Sequence, residues 1–408
     1  MREIPSGLEA SGRTLSDHMS VQEQFNVGSN VEPPVDVREL NSLAIRSLAS
    51  LFNEKEQLFS DRVTLVGDGL CSDAASRKSS MVALLGLHRL ADSGGAQPFD
   101  LASIREVILR DTSWIRNAED LGLLTWFAAV CAPDQLKKIF KKFDFETALT
   151  FYPDGRQART TGLAWFLAGV AHARLARPET LPDLTDVAVD AYHMLKDNQS
   201  ENGLFGHAAL QGFPRKTLYS RLGTFSDQIY SIYALSKFAL AFQIEEPLGS
   251  ALECANSVCA LQGEMGQWWY LCDKRTGRVV NRYPVISLHQ DGTAPASLLA
   301  LGEATDQSFQ KFIYKGLAWV AGANELGEDL RNLGRGLIWD CIESKRQISN
   351  YWEAALGSWN IFGGRRPESL KIRYEVRPDH FGWLLYAFGS LGLPNSAKVA
   401  RARAATAD

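Results

Sequence analysis

The stretch Gly162-Leu163-Ala164-Trp165-Phe166-Leu167-Ala168-Gly169-Val170 narrows the folds open to this chain. It is apolar on more than one helical face and rich in small residues, so the helix it predicts is buried on both sides. A helix of that kind belongs to the inner layer of a double-layered helical assembly. Around it, apolar residues recur at spacings of three and four, as in Leu40, Leu43, Ala44, Leu48, Leu51 and Phe52. The stripe returns near 76–92, 101–111, 117–142, 157–176 and 181–198, then near 224–243, 247–262, 289–304, 306–323 and 379–392. No fixed repeat length links these segments, which argues against a single-layer solenoid. The expectation is an all-α chain forming one α/α toroid, a ring of helical hairpins around a central cavity.

Three segments depart from helical periodicity. Between Gly266 and Leu288, Trp268, Tyr270 and Cys272 alternate, 273–278 is turn-like, and Val279-Val280-Asn281-Arg282-Tyr283 is β-rich. That pattern predicts a small β-hairpin inserted between two helices. Residues 324–377 are irregular and rich in Gly, Arg, Trp and Asn, as a long lid or binding loop would be. Residues 1–35 are polar and end in Glu32-Pro33-Pro34, which predicts a disordered or loosely docked arm before a toroid domain over 36–408. Deleting residues 1–30 is expected to leave the core folded.

The 408 residues are 45% hydrophobic and 10% aromatic, enough for a large core, and the formal net charge of −4 gives no basic face for nucleic acid. No stretch is long and apolar enough to span a bilayer, and the start lacks the apolar core of a secretory signal. The cysteines Cys71, Cys131, Cys254, Cys259, Cys272 and Cys341 form no CxxC pair and have no histidine at ligand spacing. They read as reduced, mostly buried thiols of a cytoplasmic protein, with no disulfide, no metal site and no cofactor expected.

Polar clusters at the starts of apolar helices are where chemistry is expected. In Tyr283-Pro284-Val285-Ile286-Ser287-Leu288-His289-Gln290-Asp291-Gly292, the His-Gln-Asp group is costly to bury unless it is used or satisfied. Asp291 could cap the helix and His289 could bond a carbonyl; alternatively both point into the cavity. In Arg373-Tyr374-Glu375-Val376-Arg377-Pro378-Asp379-His380, Pro378 opens the last helix and Asp379 and His380 fall in its first turn. Glu375 and Arg377 suit either a solvated face or a rim that grips a substrate. Asp227 follows Thr224 and Ser226, either of which could be the cap of another buried helix. In a toroid these helix starts converge, so His289, Asp291, Asp379, His380 and Asp227 are the candidate catalytic residues. Trp268, Trp269 and Trp383 are candidate platforms for sugar rings or ordinary core aromatics. Walker, GxGxxG, GxSxG and HExxH motifs are absent.

The segments Asn198-Gln199-Ser200-Glu201-Asn202-Gly203-Leu204-Phe205-Gly206 and Leu261-Gln262-Gly263-Glu264-Met265-Gly266-Gln267-Trp268-Trp269 share a form, with Gln, then a turn glycine, then aromatics. This form resembles the hairpin connections of six-hairpin glycan-processing enzymes and of terpenoid-cyclase toroids, in which such turns line the rim of the cavity. The run from Gly266 through Tyr283 and His289 to Leu301 also resembles the C-terminal toroid of glucuronyl C5-epimerases. That resemblance implies a glycan substrate and places Tyr283 and His289 where they could exchange a proton at a sugar carbon. The expected function is a carbohydrate-active enzyme, a hydrolase, lyase or epimerase working by acid–base chemistry on a polysaccharide or oligosaccharide. Two alternatives stand beside it: a terpenoid cyclase with a lone acid and apolar walls, and a non-catalytic toroid that binds a glycan or a protein partner.

Overall fold

The computed structural model describes residues 33–150, 159–177, 184–208, 218–345 and 369–391. The bulk of the predicted arm, and the middle of the predicted loop at 324–377, lie outside them. The described chain is mostly helical. Its helices, in chain order, are α1 (Val37–Leu51), α2 (Arg77–Asp92), α3 (Leu101–Arg110), α4 (Ala118–Cys131), α5 (Leu136–Lys142), α6 (Phe145–Thr150), α7 (Thr160–Ala176) and α8 (Thr185–Asp197). They continue as α9 (Leu218–Arg221), α10 (Phe225–Phe242), α11 (Glu246–Leu261), α12 (Ala294–Thr305), α13 (Gln310–Val320) and α14 (Pro378–Phe388).

Two kinds of helix alternate. In α1, α3, α8 and α13 one stripe is buried and the opposite face is wet. In α2, α4, α7, α10, α12 and α14 nearly every side of the middle turns is buried. The second group packs in chain order, α2 on α4, α4 on α7, α7 on α10, α10 on α12 and α12 on α14, and α14 packs back on α2. The first group lies outside, with α1 on α14, α3 on α2, α8 on α7 and α13 on the turn before α12; α11 covers α10 in the same way. The apolar run at 162–170 sits in α7, between α4 and α10, as its two-sided composition demands.

The predicted helix over 117–142 is broken. Pro133 cannot donate the bond a continuing helix needs, so α4 ends and a 3₁₀ turn, Pro133–Gln135, leads into α5. The expectation of one inserted β-hairpin also falls short, because the described residues carry five small sheets. The hairpin exists as β6 (Leu271–Asp273) and β7 (Arg278–Asn281), joined by β5 (Leu222–Thr224) along β6. Unforeseen strands follow α1: β1 (Phe52–Asn53), β2 (Leu58–Phe59), β3 (Val63–Val66) and β4 (Gly69–Ser72). The predicted long loop contains β9 (Arg331–Asn332), β10 (Leu337–Ile338), β11 (Cys341–Ser344), β12 (Leu370–Arg373) and β13 (Glu375–Val376). There β11 lies between β12 and β8 (Val285–Ile286), while β13 pairs with β3. Strands this short bury too few alternating residues to leave a periodic signal.

The two similar turns are similar in space. Gln199 Nε2 donates to the carbonyls of Gly203 (3.0 Å) and Ser250 (2.8 Å), the latter on α11. Gln262 Nε2 donates to Gly266 (3.1 Å) and Phe312 (3.0 Å), the latter on α13. Each glutamine therefore ties the end of one outer helix to the next outer helix. Gly203 and Gly266 have φ of 74° and 97°, backbone that side chains other than glycine resist.

The axis is not an open cavity. Trp126 of α4 stacks on His172 of α7 (5.0 Å between centroids) and on Tyr233 of α10 (4.8 Å), and meets Trp383 and Tyr386 of α14 edge-on at 5.4 and 5.7 Å. The Tyr233 hydroxyl is hydrogen-bonded to that of Tyr386 (2.7 Å) and to His172 Nε2 (2.8 Å). Helices α4 and α10 are separated by α7, so these rings meet across the middle and fill it.

Candidate active site at the inner-helix starts

The first turns of inner helices meet: Lys78 of α2 with Asp120 of α4, Ser226 of α10 with His289 ahead of α12, and Asp291 ahead of α12 with His380 of α14. The structure gathers the predicted polar residues there. His289–Thr293 forms a π-helical turn ahead of α12, a geometry that costs regular hydrogen bonding and frequently marks functional sites. Its position is pinned on two sides. The Gln290 amide donates to the Gly266 carbonyl (2.9 Å) and accepts from the Trp268 N–H (3.2 Å), and Gly292 packs on Trp383 of α14.

That turn brings Asp291 to His380, in the first turn of α14. His380 Nε2 lies 2.6 Å from Asp291 Oδ1, and the two side chains are almost wholly buried. Burial opposes a charge on His380, but the Asp291 carboxylate, helped by Asp340 and Asp379, outweighs it and raises its pKa. His289 is in the opposite condition. Burial, and then the charge of nearby His380, lower it to about 3, so it is neutral. Its Nε2 is hydrogen-bonded with Ser226 Oγ at 3.1 Å, and its ring rests against Phe225 at 5.0 Å. Asp379 also has a raised pKa, burial being the main cause.

Asp227 is both a cap and part of a pair. Its Oδ2 accepts from the Thr224 N–H (2.8 Å) and hydroxyl (2.7 Å), completing a capping box for α10. The same oxygen lies 2.9 Å from His207 Nδ1, a contact that raises the histidine's pKa. His207 escaped the sequence reading because it lies in a connection, without helical periodicity around it.

Other candidates sit elsewhere. The Tyr283 hydroxyl donates to Glu325 Oε1 (2.9 Å), beyond the end of outer helix α13, and not to His289. Trp268 is 1% exposed, stacks on Phe225 (5.3 Å) and lines a small apolar pocket. Trp383 is likewise buried among the axial rings. Trp269 is partly exposed, with the Arg282 guanidinium over its ring at 5.3 Å, and it borders a small apolar pocket with Phe225, Val258 and Cys272. Glu375, on β13, is within 3.6 Å of Arg62, and Arg377 opens α14 beside Asp379.

Several mouth residues went unrecognised in the sequence. Lys78 of α2 pairs with Asp120 (2.5 Å) and Glu119 (3.6 Å) of α4. Tyr230 of α10 lies within electrostatic reach of Asp379 and Glu119, and Trp165 of α7 meets its ring edge-on at 5.3 Å. The N-terminal signature Asn117-Ala118-Glu119-Asp120 could have flagged Glu119, since Asn117 caps α4 through the Asp120 N–H. Among the described residues no group of three His, Cys, Asp or Glu is arranged to hold a metal ion.

The helical fold is similar to that of several solved structures. No family model matches the sequence, and no curated protein matches it. Among solved structures, an unsaturated glucuronyl hydrolase specific for heparin superposes with a TM-score of 0.58 at 13% identity, over 90% of this chain and 98% of that one. A sugar epimerase from a ruminal bacterium gives 0.59 at 9% identity, over 88% of this chain and 100% of that one. An unsaturated glucuronyl hydrolase from Streptococcus agalactiae gives 0.55 at 11% identity, over 95% and 98%. No helix among the described residues is long and apolar enough to cross a membrane.

Proposed function

We propose that this chain is a closed α/α toroid and a carbohydrate-active enzyme that moves protons at a sugar carbon. The observation that supports the reading is a pair of buried imidazoles in unlike surroundings, His289 against Ser226 and Phe225 with its pKa lowered to about 3, and His380 at 2.6 Å from Asp291 with its pKa raised. Groups pushed apart in this way are suited to act as base and acid in one reaction. Neutral His289 would take the proton from a carbon made acidic by an adjacent carbonyl. The His380 imidazolium would supply a proton, either to the carbonyl oxygen or to the opposite face of that carbon. This supports epimerisation or elimination; hydrolysis would instead use two of the mouth's carboxyl groups, and the exchange experiment below separates the two. The similarity to a sugar epimerase and to glycan hydrolases supports a sugar substrate. The filled axis supports entry from the mouth alone, so the substrate is a short sugar or a chain end. A mouth with several carboxylates and two imidazoles is unlike the apolar walls and lone acid of a terpenoid cyclase. The six free thiols support a reducing compartment.

The test is incubation in D₂O with reducing disaccharides and with uronic-acid-ended oligosaccharides, followed by proton NMR. Wild-type protein should exchange one carbon-bound proton for deuterium. His289→Asn, His380→Asn and Asp291→Asn should each slow this by at least about a hundredfold, the usual contribution of a positioned acid or base. Glycosidic cleavage without deuterium in the sugar would show a hydrolase instead.

A further inference from the structure

We propose that Trp165, Tyr230, Asp379 and Glu119 form a sugar-hydroxyl subsite in the mouth, where adjacent hydroxyls of one ring bridge the Trp165 indole N–H and the Asp379 carboxylate. The four residues come from four inner helices, α7, α10, α14 and α4, and converge only in the folded chain. Tyr230 is their common neighbour. Trp165 meets its ring edge-on at 5.3 Å, and Trp383 supports it from behind at 5.6 Å. Asp379 and Glu119 both reach it electrostatically, and with burial they keep its phenol protonated, so it remains a donor.

Two polar atoms in this group are shielded from solvent and have no partner among the described residues, Trp165 Nε1 and Asp379 Oδ1. Buried polar atoms are nearly always paired, so each such case calls for a reason. An indole N–H only donates and a carboxylate only accepts. A sugar hydroxyl does both, and a pair of adjacent hydroxyls satisfies the two orphans at once. The Trp165 and Tyr230 rings are both partly exposed and offer faces and edges on which the sugar's C–H bonds can rest. Glu119 is accessible at 32% of its side chain and is steadied by Lys78 Nζ at 3.6 Å. Gly162 of α7 leaves room beside it, since a Cβ there would come within 3.3 Å of the Glu119 Cβ. The subsite adjoins the acid–base pair through the peptide that joins Asp379 to His380. It therefore rests on the reading of the mouth as a sugar site and adds which side holds the ring.

Binding of D-glucose, D-galactose, D-mannose and D-glucuronate to the full chain, followed by saturation-transfer NMR, tests this independently of turnover. At least one of the four should bind wild-type protein. Trp165→Phe, which keeps a ring and removes the N–H, and Asp379→Asn should each weaken that binding about tenfold, as loss of a bond to a buried partner does. Glu119→Gln, at a partly exposed position that tolerates exchange, should weaken it too. His289→Asn should lose deuterium exchange and keep binding. Unchanged affinity in Trp165→Phe and Asp379→Asn, or no binding of any of the four sugars to wild-type protein, overturns the subsite. Weakened binding in these variants with exchange intact in His289→Asn would sink the acid–base reading and leave the subsite standing.

Discussion

A buried histidine leaves its mark on the pH dependence of stability, and this chain holds histidines of both signs. His289 and His172 are folded in the neutral state, burial being the main cause in each. In the unfolded chain they take up protons below the ordinary value of 6.5. The unfolded state then binds more protons, so stability falls as the pH is lowered, by up to about 1.4 kcal/mol per unit for each group. For His289 the slope persists down to its own value of about 3. His380 contributes the other way: its raised pKa gives stability that is full below 6.5 and fades as pH rises through the folded value. Urea midpoints measured from pH 7 to 5 should therefore be shallower in pH for His289→Asn than for wild type. An identical slope in the two proteins would mean that His289 is not held neutral.

Among the elements, the paired turns show how a short motif links successive outer helices. Each supplies a glycine in left-handed backbone and a glutamine that bridges two outer helices. A Cβ on Gly266 would lie 2.2 Å from the Lys315 carbonyl oxygen, and one on Gly203 would lie 2.6 Å from Glu253. Gly249, in α11, has open space at the same place. Gly266→Ala should cost about 1–3 kcal/mol from backbone strain alone, and more from the collision. Gly249→Ala should stabilise by about 0.5–1 kcal/mol, because it only removes unfolded-state freedom from a helix. Chemical denaturation of the two variants checks the contrast. Equal effects would show that φ and close approach do not govern this turn.

For the molecule as a whole, the contact between α14 and α2 joins elements from the two ends of the described chain. Helices α14 and α2 approach so closely that a Cβ on Gly382 would sit 2.4 Å from the Val82 carbonyl oxygen. Gly382→Ala should force them apart and lower stability by about 1–3 kcal/mol. Because His380 is two residues away on the same helix, deuterium exchange should fall as well. A variant with wild-type stability and exchange would show that this seam is loosely packed.

Composition and periodicity alone determined the helical class, the two-sided burial of the helix carrying residues 162–170, and the kinship of the turns after Asn198 and Leu261. Those properties are local: a stripe, a doubly apolar run and a Gln-to-Gly spacing are visible in a dozen residues. Sequence also identified Asp291 and His380 as candidates, since polar groups opening apolar helices are expensive to bury. Their contact at 2.6 Å spans 89 positions and exists only because α12 and α14 are neighbours in the fold. Tertiary structure alone decided the rest. It filled the expected cavity with Trp126, Tyr233 and Tyr386, withdrew Trp268 and Trp383 into the core, and carried Tyr283 to Glu325. It also brought Glu119, Trp165 and Tyr230 to the mouth, although each reads in sequence as an ordinary helical residue. The physical reason is that a side chain's chemistry is set by what surrounds it, and among packed helices those neighbours come from distant parts of the chain.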